Sequence, residues 1–468
     1  MVTRSEDYSN FVHRLFNNGN LGLEACRNVT FQVTGDCTLR CSYCYEHHKS
    51  CGAMSLETGK RIVDYIIDLY EDGTGDFINK NTQGVVLDFI GGEPLLEAEL
   101  IEKITDYWFE QCWKRKCPLW TRARVSFATN GQLWFSDAAQ HLFHKYHEIM
   151  SVTVSIDGVQ ELHDAFRVDK NGVGSFEKAW AAFQDGKKYG WYNCKMTFVG
   201  PSFKFIFPSV KQMISEGCKE IHCNYAFEPV YTEQEARTLY TELQRLADYL
   251  ISEAPDVWVG ILDPNIGQPS HDDKNWCGGT GEMLSFAPDG KAYPCVRYAP
   301  VSVGAALMLN HVKVTKDAHG PVAVIGDTKI MAEAPMELIT AGLGDVLGKY
   351  TCLLDWKLSQ MINGEYYCDY VVDMVRCPVA TGCGWCSGYN YESCGTPNCR
   401  NTNICLAHKA RCLAVCYYVN KRSLIIGDTK PKKIYLPREE AVQLIGENAT
   451  AALWTLAEEA KNNVEVKI

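Results

Sequence analysis

Between residue 30 and about residue 250, one pattern repeats six times: a short apolar run with strand character, then a longer stretch with helical spacing. FQVT (31–34) is followed by SLETGKRIVDYIIDLYEDG, whose apolar residues fall at 62, 63, 66, 67, 69 and 70. That is the spacing of one helix face, with Ser55 as N-cap and Gly73 as stop. VVLDFI (85–90) precedes a helix over 97–115, and RVSFATNG precedes one over 136–149. SVTVSIDG, CKMTFV and EIHCNY lead into helices over 175–189, 208–217 and 232–253. Near-continuous apolar strands alternating with helices predict a parallel sheet covered on its outer face. Six repeats suit a doubly wound sheet or an incomplete barrel. Polar residues gather just after four strands, at 37–44, GGEP (91–94), TNG (129–131) and SIDG (155–158). The carboxyl ends of parallel strands carry ligand sites in such folds, and four loops at one rim favour a barrel mouth. The expected class is α/β, with a partial (β/α)6 TIM-like barrel over 30–255 after an N-terminal extension (1–29).

Past 255 the pattern breaks. ILDPNIGQPSHDDKNWCGGTG is rich in turn residues, and APDGKAYPC (287–295) reads as a hairpin with an Asp-Gly turn. A cysteine-rich α+β domain is expected over 256–420. The tail (421–468) reads as a strand or hairpin and then two helices. The sequence holds 22 cysteines, ten of them between Cys352 and Cys416. The N-terminus lacks the apolar core of a signal peptide, so a cytoplasmic location is expected. In a long chain of that kind, clustered thiols point to metal or redox chemistry rather than disulfides. Cys112, Cys117, Cys194, Cys218 and Cys223 lie in helix or strand patterns and read as buried core thiols. A net charge of −11 gives no global footprint for nucleic acid, and WKRKCPLWTRAR (113–124) reads as a solvated helix end. No apolar run is long enough to span a membrane.

The densest chemistry is DCTLRCSYCYEHH (36–48). Cys37, Cys41 and Cys44 can converge on one metal centre from a single loop. Structural zinc takes four ligands, and four cysteines normally hold an iron–sulfur cube. Three therefore leave an iron open to a non-protein ligand, unless His47 or His48 completes a zinc site.

CTLRCSYC resembles the C-x3-C-x2-C signature of radical S-adenosylmethionine (SAM) enzymes, with Tyr43 before the last cysteine. The resemblance implies a [4Fe–4S] cluster with one open iron that chelates SAM. It also implies reductive cleavage to a 5′-deoxyadenosyl radical and an electron donor such as flavodoxin or ferredoxin. GGEP resembles the family's motif for the SAM amino group, which places Gly91, Gly92 and Glu93 in the cofactor site, the glycines letting the backbone approach closely. Ser155, Asp157, His163, Asp164 and Arg167, in SIDG and HDAFR, resemble a stretch of peptide-modifying members. Ser155 and Asp157 are then expected on the ribose side, Arg167 at the SAM carboxylate, and Tyr43 and Asn130 among the cofactor contacts.

CGGTGEMLSFAPDGKAYPC (277–295) is similar to the opening of the SPASM domain, which carries auxiliary iron–sulfur clusters. The expected ligands are Cys277, Cys295, Cys377, Cys383, Cys386 and Cys405, for one or two clusters. Met374 stands where the family has a cysteine, and the spacing before Cys386 is one residue short. Cys368 is a thiol that could complete the set there, and Cys352, Cys394, Cys399, Cys412 and Cys416 remain as spare thiols.

The resemblance extends to maturases of ribosomal Cys-repeat peptides. It implies a precursor peptide as substrate and a thioether cross-link as product, with C–C cyclophane formation or epimerisation as alternatives. A zinc-binding interaction module is the rival from another class. After the hairpin cysteine comes Arg297, where sulfatase-maturing relatives carry an acidic base. An arginine there favours holding a carboxylate. Only 36 residues precede Cys37, too few for a winged-helix leader-binding module. Leader recognition is therefore expected from a separate protein, the tail or the barrel rim.

Overall fold

The computed structural model describes residues 26–46, 52–75, 77–267, 283–299, 307–309, 312–314, 377, 386–394 and 402–465. The six repeats form as read. Strands β1 (Cys26–Thr34), β2 (Gly84–Gly91), β3 (Ala123–Thr129), β4 (Met150–Ser155), β5 (Cys194–Phe198) and β6 (Glu220–Tyr225) pair in sequence order, all parallel. Between them run helices α1 (Leu56–Asp72), α2 (Ala98–Lys114), α3 (Asp137–Tyr146), α4 (Gln160–Phe166), α5 (Phe176–Gly186) and α6 (Ile206–Ser215). Helix α7 (Glu233–Glu253) closes the run with a capping box at Thr232 and Glu235. Ser55 caps α1 by accepting from the Thr58 amide, and Gly73 ends it in the left-handed conformation.

The sheet is larger than six strands. A short β7 (Trp258–Val259) adds beyond β6. On the other edge β8 (Met283–Phe286) pairs parallel to β1, with β9 (Ala292–Tyr293) antiparallel to it. The order β7-β6-β5-β4-β3-β2-β1-β8-β9 has two ends, so the barrel is open. The expected Asp-Gly hairpin is β8–β9, and Gly290 sits at φ +83° in its turn.

The strands depart from the near-continuous apolar reading. β3 alternates strictly between buried and half-buried residues. One face packs on the helices, as where Phe127 stacks on Phe143 of α3. Thr30, Asp88 and Ser126 lie on the other face, with Thr30 Oγ1 3.4 Å from Asp88 Oδ2. That inner face is polar yet largely shut off from solvent, with Thr30 2% exposed and burial raising the Asp88 carboxyl to about 6.

The tail also differs from expectation. Residues 421–425 end a 21-residue helix, α9 (Cys405–Ile425), after the short α8 (Ser387–Cys394). No strand occurs among residues 426–437; α10 (Arg438–Ile445) and α11 (Glu447–Glu465) follow. α9 is buried on most sides from Cys412 to Asn420, which hides its helical period from a one-face reading. Asn420, fully buried, bonds the backbone N and O of Lys432 with both ends of its amide. Arg411 ties α9 to the sheet by donating to the carbonyls of Gly260 and Ile261. The basic run at 113–124 is a helix end, with Trp113 71% exposed and Arg115 paired to Asp68 and Glu71. The five expected core thiols are all buried. Among the described residues no helix is long and apolar enough to cross a membrane.

Candidate functional site

The loop after β1 is pinned on both sides. Backbone bonds from Arg40 N to Val168 O (2.7 Å) and Ser42 N to Phe166 O (3.1 Å) fasten it to the segment after α4. On its other side lies GGEP. Gly92 N donates to Thr34 O and Glu93 N to Asp36 O. A Cβ at Gly91 would sit 2.4 Å from Thr34 O, and one at Gly92 would sit 2.3 Å from Asp36 O. These glycines permit a close approach of the turn to the end of β1 and to the cysteine loop.

Glu93 is 1% exposed and braces the rim. Its Oε1 accepts from Thr129 Oγ1 (2.6 Å) and Leu95 N (3.1 Å), and its Oε2 from Asn130 N (2.8 Å). A carboxylate offers about four acceptor positions, so one remains. Burial outweighs these three bonds and raises Glu93 to about 7.

Asp157 is wholly buried and spends both oxygens on the protein. Oδ1 accepts from Thr197 N (2.9 Å), and Oδ2 takes Arg167 Nε (2.9 Å) and the Tyr43 hydroxyl. The expected ribose contact is thus, in the structure, an anchor for Tyr43 and Arg167. His163 supports it from beneath. Asp157 N donates to Nδ1, which leaves the proton on Nε2 to face Ser175 Oγ at 3.0 Å. Burial, with Arg167 second, lowers His163 to about 4 and keeps it neutral. Ser155 is half-buried at the end of β4.

Three N–H groups aim at the loop sulfurs. Leu39 N lies 3.4 Å and Asn130 Nδ2 3.6 Å from Cys37 Sγ, and Arg167 Nη1 lies 3.9 Å from Cys41 Sγ. The three thiols are half-exposed and outside any disulfide, and Cys41 feels the charges of Cys44 and Cys37. Burial raises the Cys41 thiol, and Arg167 opposes that rise. Among the described residues no three His, Cys, Asp or Glu residues close into a ready metal-binding group. The donor set nonetheless fits an iron–sulfur cluster: soft thiols from one loop, with N–H donors placed to bond coordinated sulfur.

The second cysteine field divides into two neighbourhoods. Cys295 influences Tyr45, and Cys386, at the start of α8, influences Arg297. Cys377 and Cys405 both influence Lys409. Cys277 and Cys383 lie outside the described residues, as do His47, His48, Cys352, Cys368, Met374 and Cys399. Cys412, a spare thiol, lies 3.5 Å from His408 Nε2 in the core, and Cys416 bonds Lys433 O.

Residues 31–203 match the family model of the Radical SAM superfamily. This stretch is a radical SAM domain. The cysteine loop, GGEP and SIDG all fall inside the match. Over 92 residues the protein is also 36% identical to glycerol-1-phosphate dehydrogenase (NAD(P)+) of Halalkalibacterium halodurans, a stretch covering 19% of this chain and 23% of that enzyme. It thus spans less than a quarter of the length of the curated relatives it matches first. Among solved structures, anSMEcpe with bound AdoMet is similar at 21% identity and a TM-score of 0.47, covering 58% of this chain and 74% of that one. Streptococcus suis SuiB bound to precursor peptide SuiA is similar at 13% identity and a TM-score of 0.42, covering 60% and 62%.

Several residues of the site escaped the sequence reading. Thr197 and Ser175 act through backbone and hydroxyl bonds that carry no motif. Tyr45 and Glu228 matter only through their contact with Arg297, across the interval from the first cysteine loop to the second field.

Proposed function

We propose that this radical SAM enzyme is a maturase of a ribosomal precursor peptide, forming a thioether between a cysteine sulfur and a carbon. The observation that carries the reading is the approach of the second cysteine field to the first at the barrel rim. Arg297, two residues after Cys295, stacks over the ring of Tyr45, the residue after Cys44, at 4.5 Å. A peptide lying across this rim meets both fields.

Cys37, Cys41 and Cys44 would hold the [4Fe–4S] cluster. Bound there, the cluster supplies the electron that opens the sulfonium of AdoMet. Glu93 offers its remaining acceptor position to the AdoMet ammonium. Asp157 holds Arg167 in place, so that its guanidinium can serve the AdoMet carboxylate without swinging off the loop. Tyr43, through the same aspartate, fixes the loop between Cys41 and Cys44. Cys295, Cys377, Cys386 and Cys405, with Cys277 and Cys383, would serve auxiliary clusters. A flavodoxin or ferredoxin would supply the reducing electron, and a separate protein could present the leader. The dehydrogenase match, at 23% of that enzyme, supports no second reading.

The test is anaerobic incubation of the reconstituted enzyme with AdoMet, a reductant and a cysteine-containing precursor peptide. A C–S bond made from one C–H and one S–H leaves the peptide lighter by two hydrogen atoms, with its thiol no longer alkylatable. 5′-Deoxyadenosine accompanies it. The same mass loss with a free thiol would mean a C–C cross-link. An unchanged mass with deuterium taken up from heavy water would mean epimerisation. Either result overturns the thioether.

A further inference from the structure

Arg297 sits in a box built from four other segments. Its Nη2 donates to Glu228 Oε1 at 2.6 Å, just past β6. Tyr45 of the cysteine loop lies 4.5 Å from the guanidinium carbon and Tyr389 of α8 lies 5.8 Å from it. The box is braced in turn. Asn403 Nδ2 donates to Glu228 O (2.8 Å) and to Tyr389 Oη (3.0 Å), and Tyr389 Oη donates to the same Glu228 carbonyl (3.3 Å). Along the stem the fit is tight, since a Cβ on Gly388 would fall 2.7 Å from Arg297 Cβ. A long flexible side chain is thus held in one place from all sides, and little rotamer freedom remains to be lost on binding.

Within this box one arm has nothing to bind. Arg297 Nη1 is buried and has no hydrogen-bond partner among the described residues. A charged donor taken from water without a partner is costly, and native proteins seldom keep one without reason. Glu228 answers the other arm only. A carboxylate suits the free arm: it accepts charge-assisted bonds from a guanidinium, and these are about twice as strong as neutral ones.

We propose that Arg297 is a substrate-anchoring residue whose free arm binds a carboxylate of the peptide, either that of an Asp or Glu residue or that of the peptide's own C-terminus. This rests on the peptide-maturase reading. The box lies between Tyr45, beside the first cysteine loop, and Cys386, at the start of α8. A peptide carboxylate seated in it fixes the register of the residues on either side and so selects which one faces the radical site. Arg297 then determines specificity and position without itself taking part in the chemistry.

The experiment offers immobilised, anaerobically reconstituted enzyme an equimolar randomised octapeptide library, once with free and once with amidated C-termini, and sequences the retained peptides. Wild-type protein should enrich Asp and Glu over Asn and Gln about tenfold at one position in the amidated library. Enrichment of free over amidated termini, without acidic preference, would assign the C-terminus instead. In R297Q/E228Q, which removes both charges so that neither is left buried alone, the preference should fall to parity. R297K, which keeps the charge but not the fork, should retain part of it. Iron content and circular dichroism identify variants that fold. Wild-type parity on both counts, or a preference that survives in R297Q/E228Q, overturns the anchor. Wild-type enzyme that cleaves AdoMet and retains peptides without charge preference overturns the anchor alone. Enzyme that retains no peptide overturns the maturase reading with it.

Discussion

The two cysteine fields are built on different principles. The first takes Cys37, Cys41 and Cys44 from a single loop, fastened by backbone bonds to Phe166, Val168 and the GGEP turn, with N–H donors aimed at its sulfurs. The described part of the second draws its thiols from separate elements: Cys295 after a hairpin, Cys386 at the start of α8, Cys405 at the start of α9. The difference teaches where each centre keeps its order. The first is held by backbone bonds within and around one loop, whereas the described part of the second is held by side-chain contacts between elements far apart in sequence, such as Arg297 with Glu228 and Asn403 with Tyr389.

The largest way to break this contrast is at the first loop. Cys41→Ala should abolish AdoMet cleavage, by about 10³-fold or more, while circular dichroism stays that of a folded barrel, because no core packing depends on the thiol. Retention of a tenth of wild-type cleavage would show that the loop is not the centre. Next in size is Asp157→Asn, which strips the buried partner from Arg167 and should cost about 3–5 kcal/mol of stability in denaturant unfolding. A cost below about 1 kcal/mol would mean that Asp157 is no anchor.

A smaller effect sharpens the comparison from the other side. Cys386→Ala should lower iron per protein molecule yet leave peptide-independent AdoMet cleavage within about threefold of wild type, since the first loop is held without it. Parallel loss of cleavage and iron would show the two fields to be one cooperative unit. The last effect follows from Glu93, whose carboxyl is raised to about 7 by burial. The ammonium of AdoMet favours the ionised carboxylate, so AdoMet binding should tighten about tenfold between about pH 6 and pH 8 and level off above. In the AdoMet-free protein the sign reverses. Protonated Glu93 favours the fold below its ordinary value of 4.5, and that gain is lost as pH rises through about 7. Glu93→Gln should flatten the binding profile.

Much of this was legible in the sequence because it is local. Six strand–helix repeats, Ser55 and Gly73 as helix signals, and the spacing of Cys37, Cys41 and Cys44 each lie within a few residues. What stayed hidden depends on distance along the sequence. Asp157 reads as a motif residue, but its partners Tyr43 and Thr197 are far away in sequence, so its role as an anchor needed the fold. GGEP was readable as a close approach, though not as an approach to Thr34 and Asp36. The parallel pairing of β8 on β1 joins segments more than 250 residues apart. α9 was obscured because burial on most faces erases its period. Arg297 was noticed for its place after Cys295, yet its aromatic and carboxylate box comes from four other segments.

The most direct measurement of the central claim, that three cysteines of the first loop form a centre with an iron open to AdoMet, is electron paramagnetic resonance of the reduced protein. Cys277, Cys295, Cys377, Cys383, Cys386 and Cys405 would be replaced so that only the first loop can carry a cluster. The account predicts a reduced [4Fe–4S] signal whose shape changes when AdoMet is added. Zinc in place of iron, or a cluster signal indifferent to AdoMet, would contradict it.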